Sequence, residues 1–381
     1  MYEMYMKAID VFEREHPDVA VRMEQQTFEG IQRNAQIVLT GNDVPDVLLY
    51  NKGNATAGQL AAQGLIRPLT DIAHEKGWDQ IVTGNLLTTS LYDQNGEMGS
   101  GEWFGVPNNG EYVSVYYNVD MFNEHGIAVP TTLEEMEIAM QQFVDAGIIP
   151  IATAGAEHPV TQVWYALILH YANQQTIDDF QLFTNDVNFN DPVFTQGTER
   201  FDQWVERGFV DPAAVAVTAE DMGLGFINGT FPMMVSGSWW IGRLNNEMAD
   251  DWGQFLFPGN QFHPGSAGNL WTIPTNASNP GCAAEFIDIT LRPEVQNFFA
   301  EQGGLAINAN DSANITDPRA QQAMEYFQKI LDDNGLAFYP DWPVPGFMNS
   351  LTSNLQALWN RSRTVPEILD AISTDYFAGR N

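Results

Sequence analysis

Between Phe226 and Leu244 the chain reads FINGTFPMMVSGSWWIGRL, and this stretch restricts the fold more than any other. Gly229 is placed to end a helix, because glycine reaches the left-handed conformation that closes a last helical turn. Pro232 to Val235 is apolar but too brief for a helix, which leaves a buried strand. Ser236-Gly237-Ser238 is then a turn whose hydroxyls can cap a helix beginning just after it, so Trp239 and Trp240 open the next helix. Helix, buried strand, turn and helix in such close order imply an α/β protein with helices covering its sheets. In open α/β sheets ligands sit just beyond the carboxyl ends of strands, where the tryptophan pair falls. A flat indole there suits the C–H face of a sugar ring, while neighbouring amides and carboxylates can take its hydroxyls. Two tryptophans at a strand end serve equally well as core.

The rest of the chain repeats this alternation. Tyr5, Ala8, Ile9 and Phe12 lie on one face of an opening helix that His16-Pro17 ends. Val19, Val21 and Met23 alternate as a strand, and Phe28, Ile31, Ala35, Val38 and Leu39 form a helical stripe closed by Gly41. Asp46 to Tyr50 is a strand of the fully buried kind, so strand, helix and strand predict a parallel pair here. Asp93 to Glu97 faintly resembles a calcium loop, but its Asn-Gly pair suits a hairpin turn better. Glu111 to Asn118 alternates cleanly as a strand. Thr132 with Glu135 is a capping box opening a helix buried through Leu133, Met136, Met140, Phe143 and Val144. Helices are also expected over Trp164 to Tyr171, Phe201 to Gly208, Ala283 to Leu291, Pro293 to Gln302, Gln321 to Leu331, Ser350 to Trp359 and Val365 to Ile372.

With 381 residues the chain exceeds what one compact core usually holds, and two lobes are expected. Residues 1–111 with 255–309 would form one and residues 112–254 with 310–381 the other; the Gly-, Pro- and Asn-rich stretch from Phe255 to Pro274 suits a crossing between them. Forty-nine acids against 16 Lys and Arg leave a net charge of −33, spread along the chain. Nucleic acid and anionic membranes repel such a surface, so neither is expected as a partner. Cys282 is the single cysteine and permits no internal disulfide. The best apolar run, Val163 to Ala172, is about half the length a membrane span needs. The chain opens on a helix with no strand and no export signal before it, so a strand and a signal are expected to be encoded upstream of Met1.

Sites that need a metal or cofactor leave spacing signatures, and none is present. The histidines show no i, i+4 pairing, and Gly223-Leu224-Gly225 lacks the third glycine of a dinucleotide fingerprint. No Walker loop or Gly-x-Ser-x-Gly elbow occurs. No cofactor, metal or catalytic residue is therefore expected. What recurs instead is an aromatic or amide residue at a strand end: Asn51 after Tyr50, Asn108 and Asn109 with Glu111, Trp164, Trp239 and Trp240, Asn269 with Trp271, and Trp342 with Phe347. Stacking surfaces with uncharged hydrogen-bonding groups bind sugars without doing chemistry on them. These ten, Asn51, Asn108, Asn109, Glu111, Trp164, Trp239, Trp240, Asn269, Trp342 and Phe347, are the candidate ligand-binding residues.

Taken in order, FEREHPDVAV, GNDVPDVLLYN, AAQGLIRPLTD, GVPNNGEYVSVYYNVDMF, VPTTLEEM with DAGIIPIAT, FINGTFPMMVSGSWW, GNLWTIP and EFIDITLRPEVQNFFAEQGGLAI resemble the extracellular solute-binding proteins that serve ABC importers of oligosaccharides. The likeness covers nearly the whole chain, and the outline is similar to maltose-binding protein. The resemblance implies the two-lobed periplasmic binding protein fold of type II, each lobe a mixed, mainly parallel sheet between helices. It also implies a ligand held between the lobes, hinge closure around it, and delivery to a permease with its ATPase subunits by a monomer in the periplasm or on the outer face of the cytoplasmic membrane. Trp239 matches the position where such proteins stack a sugar ring. Trp164 falls in the matching helix-start region and Phe347-Met348 in the C-terminal one, where Met348 replaces an aromatic. The competing readings are a secreted glycosidase using two of the many acids, and a binder of a charged solute, for which Arg243 and Lys52 are the basic residues nearest the motifs.

Overall fold

A computed structural model describes residues 2–248, 251–309 and 315–380. Contacts divide the chain into two compact units, Met1–Glu111 with Ser266–Glu325, and Tyr112–Gly265 with Tyr326–Asn381. The chain leaves the second unit later than residue 255 for a local reason. Phe255 pairs with Val115, and the Pro264 carbonyl accepts from the Val113 N–H at 2.8 Å, so the residues between them stay with that unit's sheet. The return falls within the helix Pro318–Asp332, later than residue 309.

In the first unit the helix Tyr2–Glu15 buries Met4, Ala8, Ile9, Val11 and Phe12 on one face and packs against Pro280–Leu291 and Pro293–Glu301. A chain of edge-on rings forms its core: Phe12 meets Phe286 at 5.9 Å, Phe286 meets Trp271 at 5.5 Å and Trp271 meets Tyr5 at 5.2 Å. The sheet runs Leu48–Tyr50, Leu270–Thr272, Val106–Pro107, with the central strand antiparallel to both neighbours. The strand expected at Val19 to Met23 does not form, and Val19 and Met23 are exposed. Alternation yields a strand only where an edge pairs with it and a face is covered. The expected parallel pair with Leu48–Tyr50 is therefore absent from the described residues. The helix Phe28–Thr40 does form, with Thr27 Oγ1 accepting from the Gly30 N–H at 3.1 Å, but it buries only Ala35 and Leu39 and leaves Ile37 71% exposed.

The second unit is built on a sheet in the order Ile151–Ala152, Met233–Gly237, Gly110–Asn118, Trp252–Phe255. Met233–Gly237 runs parallel to Ile151–Ala152, whereas Gly110–Asn118 is antiparallel to both Met233–Gly237 and Trp252–Phe255. Antiparallel pairing thus dominates the described strands, contrary to a mainly parallel arrangement. The helix Pro159–Leu169 is buried all round, as its continuous apolar run requires. The helix Pro192–Glu206 lies hard against it, since a Cβ at Gly197 would stand 2.6 Å from Ile168 Cδ1. Thr132 caps Leu133–Asp145 through a bond from the Glu135 N–H, and the Glu135 carboxylate reaches back to the Thr131 N–H at 2.8 Å. Phe180 stacks on Tyr376 at 5.7 Å with an interplanar angle of 13°, joining the last helix, Val365–Arg380, to the core.

Candidate ligand-binding site

Each unit carries its own cluster of the expected residues. In the first, Thr89 and Ala267, from segments far apart in the chain, meet at the side chain of Lys52. Its Nζ is fully buried and donates to Thr89 Oγ1 at 2.9 Å and to the Ala267 carbonyl at 2.5 Å. Burial holds this amine well below the ordinary lysine range, and the nearby Glu111 carboxylate acts in the opposite sense. Asn51 Oδ1 accepts from the Lys52 N–H at 2.9 Å, and Asn54 Oδ1 accepts from the Met98 N–H at 2.6 Å. These bonds hold the irregular turn after the strand Leu48–Tyr50 in one shape.

Asn108 and Asn109 close the same cluster. The Asn108 carbonyl accepts from Gln296 Nε2 at 2.7 Å, while its side-chain amide is buried and bonded by no group among the described residues. Asn109 Nδ2 donates to the Gly110 carbonyl at 3.2 Å, and its amide lies directly over Gly268, where a Cβ would come within 2.2 Å of Oδ1. Ser90 Oγ and Ser266 Oγ, next in sequence to the two partners of Lys52, are also buried with no partner among the described residues. Buried polar groups left open in this way cost free energy unless something else satisfies them. Asn269 and Glu111 stand half-buried at the border of this region. Thr89, Ser90 and Ser266 carry no sequence signal that separates them from any other hydroxyl.

In the second unit the cluster is aromatic. Trp239 lies in the 3-10 turn Ser238–Trp240 after the strand Met233–Gly237 and is 38% exposed. His158 meets its ring edge-on at 6.0 Å and Tyr339 at 6.3 Å with a tilt of 50°. Trp342 is buried one layer back, 5.3 Å from Tyr339 and stacked on Phe338 at 6.0 Å. Between these rings in sequence, Asp341 has its carboxyl pushed up to about 6 because burial strips water from the charged form. Sequence reasoning missed His158 and Tyr339, which only the fold brings to Trp239.

Besides Trp342, three expected residues are core instead. Trp164 is wholly buried and gives its indole N–H to Thr198 Oγ1 at 2.9 Å. Phe347 is enclosed by Phe180 and Tyr376. Trp240 packs on Gly223 inside its own unit, with the Arg243 guanidinium 5.3 Å over its ring. Each is a large ring on an apolar helix or turn face, and burial there is worth more than exposure to a ligand.

The first unit thus carries a buried cluster of amides and hydroxyls, and the second a partly exposed tryptophan among other rings. The chain belongs to the family of bacterial extracellular solute-binding proteins, whose pattern matches residues 7–345. It is 27% identical over 209 residues to the alpha-glucosides-binding periplasmic protein AglE of Rhizobium meliloti, covering 53% of this chain and 44% of that protein. It is 24% identical over 260 residues to the multiple sugar-binding protein of Streptococcus mutans, covering 67% of this chain and 59% of that one. The chain thus spans about half the length of these relatives. Among solved structures, a chitin oligosaccharide binding protein superposes with a TM-score of 0.82 at 19% identity, over 99% of this chain and 95% of the other. That likeness establishes the two-unit α/β fold. Among the described residues no helix is long and apolar enough to cross a membrane.

Proposed function

We propose that the protein is the substrate-binding component of an ABC sugar importer, taking a neutral oligosaccharide outside the cytoplasmic membrane and handing it to a permease without chemical change. The observation that carries this reading is Trp239, a tryptophan held 38% exposed between two other rings instead of being buried. Exposed indoles cost solvation and are kept where a flat apolar ligand face covers them. The amide and hydroxyl groups around Lys52 supply the complementary chemistry for sugar hydroxyls, and Glu111 is the carboxylate that borders them. The two units, taken as lobes, would close on the ligand, whose contacts with both favour the closed form.

Calorimetric titration with maltotriose, chitotriose and a sugar phosphate tests the reading. Saturable one-to-one binding of a neutral saccharide, recovered unchanged after a day, is expected. Binding of the sugar phosphate alone, or cleavage that disappears on replacing one carboxylate, overturns it.

A further inference from the structure

The six-membered ring of Trp239 lies back over Gly237. A Cβ at that glycine would stand 2.0 Å from Cζ3, 2.2 Å from Cη2 and 2.3 Å from Cε3. The backbone itself does not ask for glycine, because φ −87° and ψ 165° are ordinary extended values. Gly237 is also held firmly, paired with Val113 and accepting at its carbonyl from the Tyr116 hydroxyl at 2.9 Å. What excludes a side chain is the indole, and the indole, being partly exposed, is the partner that can move.

We propose that Gly237 is a positioning residue for Trp239: the absence of its side chain sets the plane in which the exposed indole face is presented to ligand. The inference rests on Trp239 being a ligand surface. A natural contrast lies next door. Trp240 covers Gly223 in the same manner, where a Cβ would be 1.8 Å from Cη2, but that ring is buried and has nowhere to go. Adding a methyl at Gly223 therefore strains the fold, whereas adding one at Gly237 reorients a ring.

The test monitors the indole N–H signals of 15N-labelled protein, with Trp239 assigned by its loss in Trp239→Phe. In Gly237→Ala the Trp239 signal is expected to move while the other tryptophans hold still. Affinity for the better ligand of maltotriose and chitotriose is expected to drop about ten-fold or more, the loss typical of a displaced aromatic anchor. Adding Gly237→Ala to Trp239→Ala should cause no further loss. An unmoved signal overturns the inference, as does a moved ring with full affinity in a protein where Trp239→Ala has lost binding. Should Gly237→Ala weaken the fold, that loss must vanish in the Trp239→Ala background, and its persistence also overturns the inference. Full affinity in Trp239→Ala would instead sink the ligand reading, with the indole signal still deciding the geometry.

Discussion

Lys52 donates to the carbonyl of Ala267 at 2.5 Å, joining residues 215 apart in the chain within one polar cluster. Replacing it with methionine preserves the buried stem but leaves Ala267 without this donor and Glu111 without a neighbouring amine. Such an orphaned acceptor costs about 1–3 kcal/mol, partly offset by no longer burying a polar amine. A net loss of about 1–2 kcal/mol in urea denaturation is expected, together with weaker saccharide binding as the side-chain tether from residue 52 to Thr89 and Ala267 is lost. Unchanged affinity in the destabilised variant would confine Lys52 to a structural role.

Trp239 and Trp240 should respond oppositely to truncation. Trp239→Ala removes a partly exposed anchor, so binding should weaken by about 2 kcal/mol, roughly thirty-fold, with little loss of stability. Trp240→Ala opens a hole against Gly223 and should cost about 3–5 kcal/mol of stability. Calorimetry and denaturation midpoints for both variants decide the matter, and an affinity loss confined to Trp240→Ala would reverse the assignment.

His263 makes stability depend on pH. Burial, with a smaller contribution from Lys329 and an opposing one from Asp333, pushes its imidazole down to about 4. The unfolded chain takes up this proton near the ordinary value of about 6.5, so between these two values it binds more protons than the folded protein. Stability from this residue is complete above about 6.5 and falls as pH drops toward 4, by at most about 3 kcal/mol. Asp341, pushed up to about 6, gives a slope of the other sign in the acidic part of the same range. The measurement is therefore a difference: denaturation at pH 7 and pH 4.5 for the native protein and for His263→Gln. Parallel pH profiles in the two would remove His263 as a source of the slope.

Net charge predicts a response to salt. At −33 the folded protein repels itself, and its many exposed ion pairs are individually worth little. Raising ionic strength from about 0.01 M to about 1 M shortens the screening length from roughly 30 Å to 3 Å. The thermal midpoint should rise over this range with sodium chloride and potassium chloride alike. A flat or falling midpoint would show that self-repulsion is a minor term.

The sequence was most informative where local chemistry and burial agree. The helix Tyr2–Glu15 and the Thr132 cap follow from spacing and capping residues alone, whereas the strand begun at Met233 runs on to Gly237 through the expected turn, and no serine hydroxyl caps the helix after it. Val19 to Met23 shows the limit, because alternation describes what a segment could pair with, and the partner lies elsewhere in the chain. The candidate site was legible as residue types, amides and aromatics at strand ends, but their sorting was not. Trp164 and Trp239 look alike in sequence; one finds Thr198 and a closed core, the other an open face between His158 and Tyr339. That difference is made by contacts over long sequence separations, which no local pattern records.

Among the described residues Leu48–Tyr50 is the end strand of its sheet, and both Leu48 and Leu49 are only half covered. An end strand offers unpaired backbone groups to any extended chain, including that of a second molecule. Its brevity and the preceding Pro45 limit such pairing, and mutual repulsion between copies keeps them apart. Salt acts on both sides of this balance. The screening that steadies each molecule also lowers the barrier between molecules, so the conditions giving the highest melting temperature are those in which concentrated solutions should first turn cloudy.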